Sequence, residues 1–174
     1  MDLRAAMSQF ATGVTVVTAA TPAGEPLGST ANSVTSVSLS PPLLLVWLNN
    51  DSDTLRGVLD TKAFAINVLS SGQHHLARTL AGKGAHHKRQ HWERVPWSAG
   101  STGSPLLGGA LVTIECRLDA VLDGGDHRIV LGEVAGIRLH GDGDDGEAAE
   151  RAPLLFFRGA FHSLPAPAPA AEPC

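Results

Sequence analysis

Glycine and proline cut this chain into short apolar runs, and that punctuation is the tightest constraint on its fold. Its 174 residues include 19 glycines and 11 prolines, and the runs between them are dense in β-branched and bulky side chains. Val14-Thr15-Val16-Val17-Thr18, Leu43-Leu44-Leu45-Val46-Trp47-Leu48 and Phe64-Ala65-Ile66-Asn67-Val68-Leu69 are the clearest. Such side chains pack well on a pleated surface, whereas glycine and proline supply the turns that join short strands. The strands do not alternate regularly with helical segments, which argues against a doubly wound parallel sheet. A mostly β fold is expected, an antiparallel β-barrel with two or three peripheral helices.

Asp2 is placed to cap a short helix with Leu3, Ala6, Met7 and Phe10 on one side, and Gly13 ends it. Pro22 to Pro26 is a turn, and Leu43 to Leu48 reads as a strand buried on both faces. Capping residues at Asn49 to Asp53 introduce a helix through Leu59, and a second helix over 73–80 presents Leu76, Ala77 and Leu80 to the core. Residues 110–122 and 127–139 form two long strands around the turn Asp123-Gly124-Gly125-Asp126, with a bulge or a shift of buried face expected where Leu111, Ile114, Cys116 and Leu118 break alternation. Leu154 to Phe157 and Ala160 to His162 make a closing hairpin around Arg158-Gly159. One domain over 1–164 is expected, followed by a disordered Pro/Ala tail over 165–174.

A net charge of −4 gives the surface no pull towards nucleic acid or anionic lipid. Two cysteines, Cys116 and Cys174, form no disulfide framework or Cys-x-x-Cys metal pair. No apolar run approaches the roughly 18 residues that a membrane-spanning helix needs. A soluble, cytoplasmic chain is the expectation.

Several motifs invite chemistry. Gly141-Asp142-Gly143-Asp144-Asp145-Gly146 spells a dinucleotide fingerprint, but its aspartates repel pyrophosphate and no βαβ context surrounds it. It reads as an acidic loop. His86, His87 and His91 lack the further ligands zinc requires, so they read as solvated histidines, and no metal site is expected. Ser29 to Ser38 is small and hydroxyl-rich, which suits either a polar edge strand or close approach to a flat, heteroatom-rich ring. Asp51-Ser52-Asp53-Thr54 opens a helix, where its side chains either cap the backbone or form an anion site, with Lys83 as a compensating cation.

Taken together, these segments resemble the flavin reductase-like family, the FMN-binding split barrels that serve two-component monooxygenases. The resemblance is carried by Phe10 to Thr18, Thr30 to Leu43, Phe64 to Leu69, Gly103-Ser104-Pro105-Leu106-Leu107, Ile114-Glu115-Cys116, Gly125-Asp126-His127, Leu131-Gly132-Glu133-Val134 and Phe157 to Phe161. It covers about residues 4 to 164. It implies a six-stranded antiparallel split barrel that forms a homodimer, with flavin at or near the interface. Within that pattern Thr30, Ala31, Asn32, Ser33, Ser36, Val37 and Ser38 meet the ring and ribityl chain. Asp51, Ser52 and Thr54 lie near the phosphate with Lys83, Asn67 borders the ring, and Arg158 and Phe161 complete the pocket. His127 falls on the nicotinamide side. One departure stands out: where many members follow the lysine with aspartate and phenylalanine, this chain has Ala85-His86-His87-Lys88-Arg89-Gln90-His91-Trp92.

The resemblance implies an NAD(P)H-dependent flavin reductase, passing a hydride from NADH or NADPH to FMN or FAD and supplying a transient flavin-dependent monooxygenase. Two alternatives share the architecture: a flavoprotein that retains FMN and reduces a small substrate directly, and a non-catalytic flavin- or haem-binding module. For haem, His162 is the one axial ligand the sequence offers.

Overall fold

The computed structural model describes residues 2–81, 92–140 and 152–164. The expectations for Lys83, for His86, His87 and His91, for the acidic loop 141–151 and for the tail 165–174 lie outside these residues. Asp2 caps α1 (Leu3–Met7), its carboxylate accepting from the amides of Arg4 and Ala5. Three antiparallel strands follow: β1 (Thr12–Gly13), β2 (Thr15–Ala20) and β3 (Pro26–Ala31). β4 (Thr35–Leu39), β5 (Pro42–Asn49), α2 (Asp53–Thr61) and β6 (Ala63–Val68) come next. A 3-10 turn at Ser71–Gln73 leads into α3 (His74–Ala81). The remaining strands are β7 (Trp97–Ala99), β8 (Pro105–Leu107), β9 (Val112–Gly124), β10 (His127–Leu139), β11 (Leu154–Phe157) and β12 (Ala160–Ser163). No described helix is long and apolar enough to cross a membrane.

Seven strands form the main sheet in the order β3-β2-β6-β9-β10-β5-β4, with β1-β11-β12 and β7-β8 as small companions. Every pairing is antiparallel. The expected mostly β architecture with peripheral helices is what the chain adopts, although the ladder of strand pairings does not close on itself. Beyond the end of β3, Ser33 exchanges hydrogen bonds with the backbone of Trp47 in β5 at 3.3 Å, which draws the two sides of the sheet together.

Two cores explain the burial pattern. Val17, Ala19, Ala31, Val46, Leu48, Phe64, Ile66, Cys116 and Val130 meet in the first core, together with Leu55 and Val58 of α2. Val14, Val16, Leu69, Ala77, Leu80, Trp92, Leu107, Ala110 and Leu154 form the second core under α3. β2 is buried throughout because its alternating side chains reach one core each.

The reading of Leu43 to Leu48 as buried on both faces is corrected by the structure. Val46 and Leu48 enter the first core, but Trp47 between them is 49% exposed. β5 lies next to the edge strand and has a core on one side only, so an apolar run is no guarantee of a second one. The expected irregularity between the long strands is present as register shifts at Leu131/Gly132 and Val134/Gly136. Gly132 sits hard against the Phe64 ring, where a side chain has no room.

Candidate functional site

The polar residues of β3 and the start of α2 converge. Ser29 Oγ lies 2.8 Å from Thr54 Oγ1 and 3.3 Å from Ser52 Oγ. Ser52 is the N-cap of α2 and accepts from the Leu55 amide, so the capping reading of this turn is satisfied. Helix geometry gives the amides of the first turn no intrahelical acceptor, and the helix dipole adds positive character there. Capping leaves room for an anion as well, because a trio of hydroxyls stands beside those amides. Asp53 is ion-paired with Arg56 one turn on, which offsets its charge, while Asp51 is solvent-exposed. The donor set suits a phosphate.

His127 is brought to the same region by strand pairing. It opens β10 directly opposite Asn49 of β5, the residue that leads into the α2 turn. Asn50 clips the two segments together: its amide donates to Asp126 O at 3.1 Å and its Nδ2 to Gly125 O at 2.9 Å. Asp51 N in turn donates to Asn49 Oδ1 at 3.0 Å. The Asp126 carboxylate takes a hydrogen bond from His127 Nδ1 at 2.7 Å. That bond, with the imidazole charge behind it, holds the Asp126 carboxyl below its ordinary range. An imidazole whose Nδ1 proton is committed this way offers Nε2 to a ligand.

The other expected site residues divide. Ala31 is buried, Asn32 is exposed, and both sit at the end of β3 beyond the trio. Thr30 Oγ1 donates to Ala77 O at 2.7 Å, so its hydroxyl ties β3 to α3. Ser33 is spent on Trp47 as described. Ser36, Val37 and Ser38 lie along the edge strand β4, with Ser36 and Val37 exposed.

Asn67 is fully buried and completely used. Its Nδ2 donates to Val16 O and Thr18 Oγ1, each at 3.1 Å, and its Oδ1 accepts from Leu107 N at 2.8 Å. A side chain so sequestered stitches β2, β6 and β8 and has no atom left for a ligand, which corrects its assignment to the ring. Arg158 and Phe161 belong to the small sheet: Arg158 donates to Gln9 Oε1 at 2.8 Å and lies over Phe157, and Phe161 packs edge-on against Phe156 with Arg78 above it. No hydrogen bond among the described residues joins these two to the hydroxyl trio. His162 Nε2 is 3.3 Å from Phe157 O. The described residues contain no cluster of three or more metal-ligating side chains.

Sequence reasoning missed two parts of this region. Asn50 gives no local signal, since its partners lie 75 residues away. A groove of about 620 Å³ also opens beside the trio, sharing Thr54 with it. Leu27, Gly28, Gly57, Trp92 and Trp97 form its apolar walls, and the two indoles meet edge to face at 6.2 Å. Two tryptophans spaced five apart, Trp92 and Trp97, were the available clue.

Known proteins match this arrangement over nearly the whole chain. A family model described as flavin reductase like domain matches residues 7–165. The NADH-dependent FAD reductase of Streptomyces globisporus is 42% identical over 135 residues, covering 77% of this chain and 73% of that protein. The chain spans only 43% of a Rhizobium meliloti relative, also named as a flavin reductase, to which it is 42% identical over 139 residues. Among solved structures, the S. globisporus C-1027 NADH:FAD oxidoreductase in complex with NAD and FAD fragments superposes with a TM-score of 0.81 at 37% identity, covering 98% of this chain and 93% of that one. BorF, the flavin reductase component of a bacterial two-component tryptophan halogenase, also gives 0.81, at 38% identity over 94% of this chain and 96% of its own.

Proposed function

Because the chain belongs to the flavin reductase-like family, we propose that it is an NAD(P)H-dependent flavin reductase, oxidising NADH or NADPH and reducing FMN or FAD. The observation that carries this reading is the Ser29, Ser52 and Thr54 hydroxyl trio at the α2 N-terminus, clipped through Asn50 to the turn that presents His127. A flavin held there supplies the acceptor for the nicotinamide hydride.

The protein's contribution is positional. The hydroxyls and first-turn amides anchor a phosphate, and the backbone of Ala31 and Asn32 continues from that anchor along β3. His127, oriented by Asp126, stands on the nicotinamide side and offers Nε2 as a hydrogen-bonding group. Hydride transfer needs no protein acid, so His127 orients its partner rather than moving a proton. Holding two reactants in register replaces a bimolecular encounter by an effectively intramolecular one. Reduced flavin then passes to a separate flavin-dependent monooxygenase, a role supported by relatives that are components of two-component systems.

The six-stranded split barrel belongs to this reading. β2, β3, β5, β6, β9 and β10 all send side chains into the first core, while β4 sends none. A homodimer fits the exposure of Val37, Leu39 and Trp47 on the adjacent β4 and β5, with Leu39 at 91%. A cytoplasmic setting suits an enzyme that draws on nicotinamide pools.

The test is nicotinamide oxidation by the purified protein with FMN or FAD titrated in. Rates that saturate with flavin are expected. His127→Ala should raise the nicotinamide KM by about ten-fold or more while leaving the flavin Kd unchanged. Absence of oxidation with every pairing, or an unchanged nicotinamide dependence in His127→Ala, overturns the corresponding assignment.

A further inference from the structure

We propose that Asn50 is a positioning residue for the nicotinamide, acting through Asp126 to set the orientation of the His127 imidazole. The inference rests on the reductase reading and adds to it a residue that works on the reaction at one remove.

The backbone of His127 and its ring are held by different means. Strand pairing holds the backbone, since His127 stands opposite Asn49 of β5 on one side and Gly124 of β9 on the other. Pairing leaves the side chain free to choose among rotamers, and this ring is only half-buried. What fixes the ring is the Asp126 carboxylate, 2.7 Å from Nδ1. The imidazole points where Asp126 holds it.

Asp126 has little of its own to hold it in place. It sits in an exposed turn behind two glycines, and Gly125 lies in the left-handed region at φ 78°. Glycine brings no side chain to pack and the widest choice of backbone conformations. The missing constraint is two hydrogen bonds, and both come from Asn50. Its Nδ2 donates to Gly125 O at 2.9 Å, and its backbone amide to Asp126 O at 3.1 Å. Those carbonyls belong to the two peptide planes that flank the Asp126 Cα. A peptide plane is rigid, so the orientation of one plane against the next is set by φ and ψ of the residue between them. Pinning both planes fixes both angles at Asp126, and with them the direction in which its carboxylate leaves the backbone. Among the described residues no other side chain hydrogen-bonds to this turn from outside the β9–β10 hairpin.

Asn50 is itself well placed to pin something. It lies between the end of β5 and the α2 N-cap, in a turn closed by Ser52 N donating to Asn49 O at 3.0 Å and Asp51 N to Asn49 Oδ1 at 3.0 Å. Asn50 and Gly125 are both exposed, so water can replace the amide if it is removed. The side chain therefore adds little to stability, and its effect falls on geometry.

Steady-state nicotinamide oxidation by the full chain at saturating flavin tests this, with Asn50→Ala, His127→Ala and the double variant compared. Asn50→Ala should raise the nicotinamide KM by about three- to ten-fold, the scale of one hydrogen bond. It should hold the flavin Kd within about two-fold and lower Tm by no more than about 4 °C. Added to His127→Ala, the same substitution should change the nicotinamide KM by less than about two-fold, because a residue that works through His127 then has nothing left to position. A full second loss in the double variant overturns the proposal. So does a flavin Kd that rises in step with the nicotinamide KM, or a nicotinamide KM that Asn50→Ala leaves unchanged. Each of these leaves the reductase reading intact. Absence of nicotinamide oxidation by the unaltered protein overturns both.

Discussion

Replacing Asn67 with alanine separates a structural role from a ligand-binding one. The side chain makes three hydrogen bonds, all inside the protein and all buried. Its loss leaves the Leu107 amide, in a residue only 1% exposed, without the acceptor it has at 2.8 Å. An orphaned buried donor costs about 1–3 kcal/mol, and each donated bond contributes about 0.5–1.5 kcal/mol net. The sum centres on about 4 kcal/mol. For a chain of this size that lowers Tm by about 8–16 °C. Thermal unfolding followed by circular dichroism measures it, alongside the flavin Kd at a temperature where the variant is folded. The expected result is a large stability loss with flavin affinity held within about two-fold. Unchanged stability with weakened flavin binding would refute the reasoning and restore Asn67 to the ring.

Three further outcomes can be checked together. Burial pushes the Glu115 carboxyl up, but bonds from the Thr102 amide and hydroxyl and from Ser101 outweigh it and hold the group below 4.5, its ordinary value. A depressed folded pKa stabilises above the unfolded value and ceases to do so as pH falls through the folded one. Glu115→Gln should therefore lower the urea midpoint at neutral pH, with the gap from the unaltered protein closing below pH 4.5. Gly132→Ala places a Cβ 2.6 Å from Phe64 Cε1 and 2.9 Å from Cys116 Cβ, so overpacking should cost about 1–3 kcal/mol in denaturant titration. Burial, reinforced by the Glu115 charge, pushes the Cys116 thiol up to about 12, so alkylation mapped by mass spectrometry should leave it unmodified until denaturant is added.

Local chemistry explains what could be read from the sequence. The cap at Asp2, the α2 start at Ser52 and the turn at Asp123 to Asp126 are set by neighbours within a few residues, and each was legible. The bulge between β9 and β10 was legible because it breaks a period of two. Trp47 was misread because an apolar side chain declares its preference and not the number of faces available to it. Asn67 was misread for a related reason, since an amide in a strand says nothing about partners at Val16 and Leu107 until the topology brings them together. The Asn50 clip and the groove under Trp97 are joined by the fold alone, and no window of sequence contains them.

On the proposed reading, the hydroxyl trio also bears on how readily a flavin exchanges. Ser29 Oγ lies 2.8 Å from Thr54 Oγ1 and 3.3 Å from Ser52 Oγ, so two of the three hydroxyl hydrogens have an acceptor within the trio itself. A phosphate leaving such an anchor would strand fewer donors than it would in a cradle whose groups have no alternative partner, which lowers the penalty on dissociation. Recognition and release would then draw on the same groups, as suits a protein whose product must leave to be useful.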